Sequence, residues 1–329
     1  MKASVVSLLF LTLIASLMSE AAADDSPAVL GSGQSPSQQS SETMAEHEAE
    51  VMRYRAERDA TLRQPESWLT LVGLHWLDEG TTTVGSGEDM DLRLPDTAPD
   101  FVGELRVGGS GGESATLFVP APRHEVRVDG QIAVQPVELR GDADGDPTQV
   151  EAGSVVFFPI DRRGRTAVRV KDRRARTLRE FAGLDFYPID WSWRVEGRFV
   201  PYAEKKEIQV PSVLGGTDTQ QIPGSVEFQR EGRTYRLDAL DGGEGQLFLI
   251  FGDETNGKIT YGGGRFLYAT TPPDSSRPGP VVLDFNKAYS PPCVFSPWAT
   301  CPLPPRQNRL ALAIEAGEKT YRGYTEGSH

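Results

Sequence analysis

From Trp68 onward the apolar residues of this chain recur with a period of two, and the alternation is cut at short intervals by turn signals such as Gly108-Gly109, Asp129-Gly130, Glu231-Gly232 and Asp241-Gly242. Successive side chains of a strand point to opposite faces, so this pattern predicts half-buried strands. Ten segments carry it: Glu104–Val107, Ala115–Val119, Glu125–Val128, Val155–Ile160, Ala167–Lys171, Glu207–Val210, Ser225–Gln229, Arg233–Asp238, Gln246–Phe251 and Leu310–Glu315. Helical patterns between them are missing, which argues against a parallel βαβ architecture and for antiparallel sandwiches or barrels. About 290 residues of such structure exceed one sandwich, so two β modules are expected. We place the seam near Arg179–Tyr187, with an N-terminal β sandwich over 65–182 and a C-terminal β sandwich or barrel, with a proline-rich loop, over 183–329.

Before the strands the pattern changes three times. Residues 1–23 have the form of a signal peptide: Lys2, an apolar run from Val5 to Leu17, and Ala21-Ala22-Ala23 as a small-residue cleavage site. The run is too short for a stable membrane span, and no Cys follows it to carry a lipid. Residues 24–43, rich in Ser, Gln, Pro and Gly, predict a flexible leader. Thr43-Met44-Ala45-Glu46 has the form of a capping box, and Val51, Tyr54, Arg58 and Leu62 follow at helical spacing, so one helix is expected over 44–64, stopped by Pro65 and strapped onto the β structure. The expected location is therefore periplasmic or extracellular, with no membrane span once the signal is removed. In an oxidising compartment the only two cysteines, Cys293 and Cys301, are expected to form a disulfide that shapes the proline-rich loop.

Charge narrows the function classes. Asp+Glu number 47 and Lys+Arg 34, giving a formal charge of −13, which argues against general nucleic-acid binding. The exception is Asp161–Glu180, with nine basic residues. Such a run either attracts an anion or lays its Arg stems on apolar surface with the heads reaching nearby carboxylates. Arg169 and Lys171 share one strand face and become site candidates if that face points inward. Gly108–Gly112 matches G-x-S-x-G but lacks the strand-to-helix context of a nucleophile elbow, so a glycine turn is expected. Asp142-Ala143-Asp144-Gly145-Asp146 begins like a calcium loop, but Pro147 and Gly153 stand where that loop needs Gly and Glu, and an acidic turn is expected. His47, His75, His124 and His329 form no metal-binding spacing, and His75 reads as a hydrogen-bonded core imidazole. No nucleotide, zinc or haem motif is present, so no cofactor is implied.

The stretches SWLTLVGLHWLDEGTTTVGS (67–86), YPIDWSWRVEGRF (187–199), ITYGGGRFLY (259–268) and LDFNKAYSPPCVFSPWATCPLPPRQNRLALAIEAGEK (283–319) together resemble the bacterial and archaeal domain-of-unknown-function family numbered sixteen eighty-four. The resemblance runs from about Arg53 to Tyr321 and implies no assigned activity. Leu77–Phe158 is similar in layout to a forkhead-associated β sandwich, through Gly80, Gly85, DLRLP (91–95), VRVDG (126–130) and VEAGSVVF (150–157). That resemblance implies a scaffold without a phosphopeptide site. Ser86 follows Gly85 where an Arg would stand, and APDFVGEL (98–105) offers no Arg, Ser or His to grip a phosphate.

The candidate site lies in the C-terminal part. Tyr261-Gly262-Gly263-Gly264-Arg265 lets something approach the backbone closely. Asp284, Asn286, Tyr289, Asn308 and Arg309 follow as polar groups set among apolar ones, which must be satisfied by one another or by a ligand. Arg265 or Arg309 would suit a carboxylate or phosphate. The expectation is an exported protein that binds a small anionic ligand through Arg265, Asp284, Asn286, Tyr289, Asn308 and Arg309. The alternatives are a hydrolase or isomerase with Asp284 as acid or base, and a structural or interaction protein in which these groups only lock a loop.

Overall fold

The alternating segments fold as strands of two β modules in the computed structural model, which describes residues 36–108, 115–122 and 125–323. The signal segment, the leader up to residue 35, Gly109–Gly112, His124 and His329 lie outside the described residues. The strands of the first module are β1 (Leu71–Trp76), β2 (Gly80–Gly85), β3 (Leu92–Arg93), β4 (Gly103–Gly108), β5 (Ala115–Pro120), β6 (Arg127–Val128), β7 (Gln131–Ile132), β8 (Val137–Leu139), β9 (Val150–Ala152), β10 (Val155–Arg162) and β11 (Arg165–Asp172). They form two sheets, ordered β1-β11-β10-β9-β6-β7 and β3-β2-β4-β5-β8. Val84, Leu105, Phe118, Val150, Phe157 and Val168 fill the space between them. Pairing is antiparallel except for β2 with β3, where Val84 lies beside Leu92 in parallel.

The second module is one six-stranded sheet of β12 (Arg194–Pro211), β13 (Thr217–Arg230), β14 (Arg233–Asp241), β15 (Gln246–Phe251), β16 (Arg265–Thr270) and β17 (Gly279–Asp284). Its order, β16-β15-β14-β13-β12-β17, brings β16 and β17 side by side, so the sheet is nearly closed and barrel-like. Phe199, Phe228, Phe251 and Phe285 fill it, with Leu310, Leu312, Ile314 and Ala316 of the C-terminal segment as a plug. That segment corrects one expectation. Leu310–Glu315 keeps its alternating burial but is not a strand, because its backbone groups are taken largely by side chains instead of a ladder. Tyr235 donates to the Ala311 carbonyl, Arg265 to those of Ile314 and Ala316, and Asp253 accepts from the Ile314 N–H.

Helix α1 spans Pro36–Leu62, so Thr43 lies within it and the expected capping box does not open it. From Thr43 on it belongs to the same compact unit as both β modules. The stripe of His47, Val51, Tyr54, Arg58 and Leu62 faces the protein: Val51 is fully buried and Leu62 nearly so. His47 and Arg58 of the stripe, and Glu50 beside it, pair with the C-terminal module. His47 Nε2 lies 2.8 Å from Asp284 Oδ2, Lys287 reaches Glu50 at 2.5 Å, and Arg58 meets Glu318 at 2.5 Å and the Ser290 carbonyl at 2.9 Å. Buried under the helix, the Tyr54 hydroxyl is pushed up to a pKa of about 12.

Cys293 and Cys301 form a disulfide, their Cα atoms 6.2 Å apart, and the loop they close packs on the start of β1 through Ala299, Leu71 and the Ser296 hydroxyl. In the basic run, Arg162 grips Asp142, Arg163 grips Asp218, and Arg173 spans Glu66 and Glu151. The Asp142 carboxylate of the calcium-like turn is thereby taken by Arg162.

His75 is half-buried, its ring folded over Gly73, and burial lowers its pKa below the ordinary 6.5. A base with a lowered folded-state pKa is protonated more readily in the unfolded chain, so stability falls as pH drops through the region below 6.5. We expect the melting temperature to fall between pH 7.5 and pH 5.5, and to fall less in His75→Phe, as read by circular dichroism.

Candidate functional site

A large cleft of the C-terminal module is a consequence of strand irregularity. Along β12 and β13 the pairs run in register to Pro201 with Gly224 and resume at Lys206 with Ile222, so β12 carries extra residues at that point. Such a bulge re-aims side chains and sharpens the local twist. Here it sends Tyr202 and Lys206 across β13 towards Asp238 on β14. Ser225 stands opposite Asp238 on the intervening strand, and its small side chain leaves the crossing open. The Tyr202 hydroxyl donates to Asp238 Oδ1 at 2.8 Å, and Lys206 Nζ lies 3.9 Å from Oδ2. Arg236, two residues before Asp238 and hence on the same face, has Nε at 4.0 Å from Oδ1 and donates through Nη2 to the Tyr202 hydroxyl.

The other wall is the single helical turn Arg306–Asn308. Gln307 donates to Asp238 Oδ2 at 3.1 Å. Lys206, Arg236, Asp238 and Gln307, with Arg306, Gln209 and Thr217, line a cleft of about 630 Å³. Asp238 is 3% exposed at its floor, while Lys206, Arg236 and Arg306 are exposed at its rim. The lining charges are three cations against Glu207 and Asp238, a local positive excess in a chain of −13. Burial, then the hydrogen bond to Asp238, raises the Tyr202 pKa, so the phenol keeps its proton and remains a donor. The result is a buried carboxylate held in place by two neutral donors, with two cations at ion-pair distance and not at hydrogen-bond distance. Both cations keep donors from which an anionic group could accept hydrogen bonds.

The six residues expected to form the site occupy several separate places. Asn308 is beneath this cleft: its side chain accepts from the Asp238 N–H at 2.8 Å and donates to the carbonyls of Asp238 and Ile250 at 2.8 and 2.9 Å. It bridges β14 and β15 where their ladder is confined to Leu240 with Phe248 and Asp241 with Leu247. Arg265 is fully buried on β16, with Nη2 donating to Asp253 and to the Ile314 carbonyl, each at 2.8 Å. The glycine before it admits protein, not ligand: Gly264 has φ +87°, and a Cβ there would lie 2.3 Å from Pro304. Asp284 and Asn286 sit together below α1. Asp284 meets His47 and Lys287 and accepts from Asn286, whose amide in turn clamps the backbone of Asp190. Tyr289 pairs with Phe266, stacks on Tyr268 and lies under Arg58. Arg309 is exposed and lines a separate hollow of about 490 Å³ with Asp253 and Gly262. Tyr202, Lys206, Arg236 and Asp238 were missed by the sequence analysis. The available signal was an acid between Leu237 and Ala239 inside an apolar run, the same signal that drew attention to Asp284.

Fold and site together define a mainly β protein with a cleft in its second module whose lining carries three cations and two carboxylates. Residues 179–319 match the family described as a protein of unknown function, DUF1684, and over them the chain belongs to that family. The motif-bearing stretch 67–86 lies outside the matched residues. Among solved structures, an uncharacterized protein of Haloarcula marismortui is 31% identical, covering 45% of this chain and 80% of its own, with a TM-score of 0.36. Two FHA-domain structures are each 20% identical over 30% of this chain, with TM-scores of 0.21. One is the FhaA FHA domain in complex with an intracellular domain, covered over 97% of its length; the other comes from work on phosphothreonine-dependent FHA interactions, covered over 92%. No curated protein matches the chain.

Two substitutions separate the supports from the cleft. Arg265→Met leaves Asp253 buried without its counter-ion and is expected to cost about 3–5 kcal/mol of stability. Asn308→Ala leaves buried backbone groups of β14 and β15 unsatisfied and is expected to cost about 1–3 kcal/mol or more. Urea denaturation of the two variants checks both.

Proposed function

We propose that the protein is an exported binding protein whose C-terminal β module holds a small anionic ligand in the cleft floored by Asp238. The observation that carries this is the organisation of the floor. A carboxylate 3% exposed is fixed by Tyr202 and Gln307, and Lys206 and Arg236 approach it with donors still available to a ligand. An anion placed between Lys206, Arg236 and Arg306 gains charge-assisted hydrogen bonds, while Asp238 accepts from a hydroxyl or amine of the same molecule. The long β12 and β13 and the turn Arg306–Asn308 hold these groups before any ligand arrives, which limits the ordering cost of binding. Export is supported by the N-terminal signal pattern and agrees with a disulfide between the only two cysteines.

Asp284 acting as an acid or base finds less support. Its oxygens are engaged by His47, Asn286 and Lys287 beneath α1, an arrangement that docks the helix.

The test is calorimetric titration of the mature protein with succinate, citrate and inorganic phosphate. At least one is expected to bind, and Arg236→Met and Lys206→Met are each expected to weaken it by about tenfold or more with the melting temperature little changed. Binding that is absent from all three, or unaltered in both variants, rejects the proposal.

A further inference from the structure

The basic run on β10 and β11 contains one buried arginine that forms no ion pair among the described residues. Arg162, Arg163 and Arg173 have carboxylates, and Arg165 lies over the Trp76 ring at 4.6 Å. Arg169 also lies over a ring, that of Trp68 at 5.5 Å, but differs from Arg165 in being buried. It is 7% exposed, on the outer face of its sheet, and donates through Nη2 to the Thr300 hydroxyl at 3.1 Å. Its Nε is buried without a partner, and among the described residues it forms no ion pair. Burial, with repulsion from Arg162 second, pulls its pKa down to about 10, and Asp142 offsets only part of this. A buried guanidinium without a counter-ion is a cost to the folded state that a bound anion would relieve.

The surroundings offer a place for one. Thr300 belongs to the disulfide loop, and its hydroxyl lies near both Arg169 Nη2 and Arg162 Nε, at 3.1 and 3.5 Å. Thr300 and Arg162, with Trp76, Arg163, Arg165 and Asp218, line a cleft of about 500 Å³ between the N-terminal sandwich and the β12–β13 hairpin. Arg169 therefore stands one hydrogen bond behind the wall of that cleft. Arg162, Arg163, Arg165 and Arg169 face Asp142, Asp161 and Asp218, so the positive excess equals the charge of Arg169. Trp76 and Leu214, 36% and 42% exposed, supply apolar surface at the same cleft.

We propose that this cleft is a second binding site, separate from that at Asp238, which takes the oxyanion group of a small ligand, a phosphate or a carboxylate, between Arg162, Arg165 and the Thr300 hydroxyl. The apolar part of the ligand lies against Trp76. Arg169 acts through Thr300 as a positioning residue and supplies the uncompensated charge. The Asp238 cleft is lined by no tryptophan, so Trp fluorescence reports on the second site and not on the first.

The experiment is a fluorescence titration of the full protein with inorganic phosphate, phenyl phosphate and benzoate at constant ionic strength. Phenyl phosphate is expected to bind several-fold more tightly than inorganic phosphate, and benzoate shows whether a carboxylate also serves. Trp76→Phe should abolish the signal. Arg165→Gln, an exposed position safe for folding, should weaken binding about fivefold or more. Arg169→Met should abolish binding and, without anion, melt no lower than the wild type, because an unbalanced charge has been removed. Arg236→Met should leave the signal intact. The proposal is overturned if none of the three compounds changes the fluorescence, if the signal persists in Trp76→Phe or is lost in Arg236→Met, or if Arg165→Gln binds as the wild type does. Wild-type binding by Arg169→Met, or a lowered melting point in that variant, removes the role given to Arg169.

Discussion

The ion pair between Arg265 and Asp253 governs how the C-terminal module is closed. Both side chains are fully out of solvent, and neither charge would be tolerated there alone. Because the guanidinium also donates to the carbonyls of Ile314 and Ala316, the same pair that neutralises it anchors the segment that plugs the barrel. Asp253 accepts in turn from Thr255 and from the Ile314 N–H, so the two ends of the interaction hold one piece of chain. Upstream on that piece, Asn308 joins β14 to β15, and the turn containing Arg306 and Gln307 becomes the wall of the Asp238 cleft. The cleft thus inherits its shape from buried polar contacts behind its lining. Through its two Nη groups the guanidinium reaches one carboxylate and two carbonyls at once, and contacts so distributed favour one arrangement of the segment even though Nε has no partner.

This division of labour explains what the sequence revealed and what it withheld. Alternation exposed the strands because burial of one sheet face is a local, period-two property. It also exposed the buried positions Leu310, Leu312 and Ile314 correctly as a face, yet could not show that Ala311 and Ile314 of this segment find their backbone partners in the side chains of Tyr235, Arg265 and Asp253. The helical stripe of Val51, Tyr54, Arg58 and Leu62 was legible for the same local reason, while the start of α1 was not: the Thr43 capping box fits a helix N-terminus in isolation, but the helix already begins at Pro36. Polar residues set in apolar runs were a sound signal of burial for Arg265, Asp284 and Asn308, all of which are buried. The signal does not distinguish a group satisfied by protein from one waiting for a ligand. That distinction depends on register across strands: Tyr202 and Asp238 are 36 residues apart, and only the irregular pairing between Pro201 and Lys206 brings them together.

The β12–β13 hairpin sets the relation between the two clefts. Beyond the bulge, Gln209 pairs with Thr219 and Pro211 with Thr217, while Ile208 pairs with Gln220 and Val210 with Asp218. Directly paired residues share a face and neighbours along a strand do not. Gln209, Pro211 and Thr217 of one face line the Asp238 cleft together with Ile208 of the other, while Asp218 and Gln220, with Ser212 at the hairpin end, line the cleft at Thr300. One two-stranded ribbon therefore forms a wall of both. Its tip is fastened to the disulfide loop, through the Val213 N–H to the Cys301 carbonyl and the Leu303 N–H to the Pro211 carbonyl. A two-stranded ribbon alone is a weak structural element. Secured at the barrel by β14 and β17 and at its tip by the loop, it can hold two cationic surfaces at fixed positions in a protein whose overall charge would repel anions. The bulge has a further effect: it changes which residues follow one another on each face, and so assigns Lys206 to the Asp238 cleft together with Tyr202.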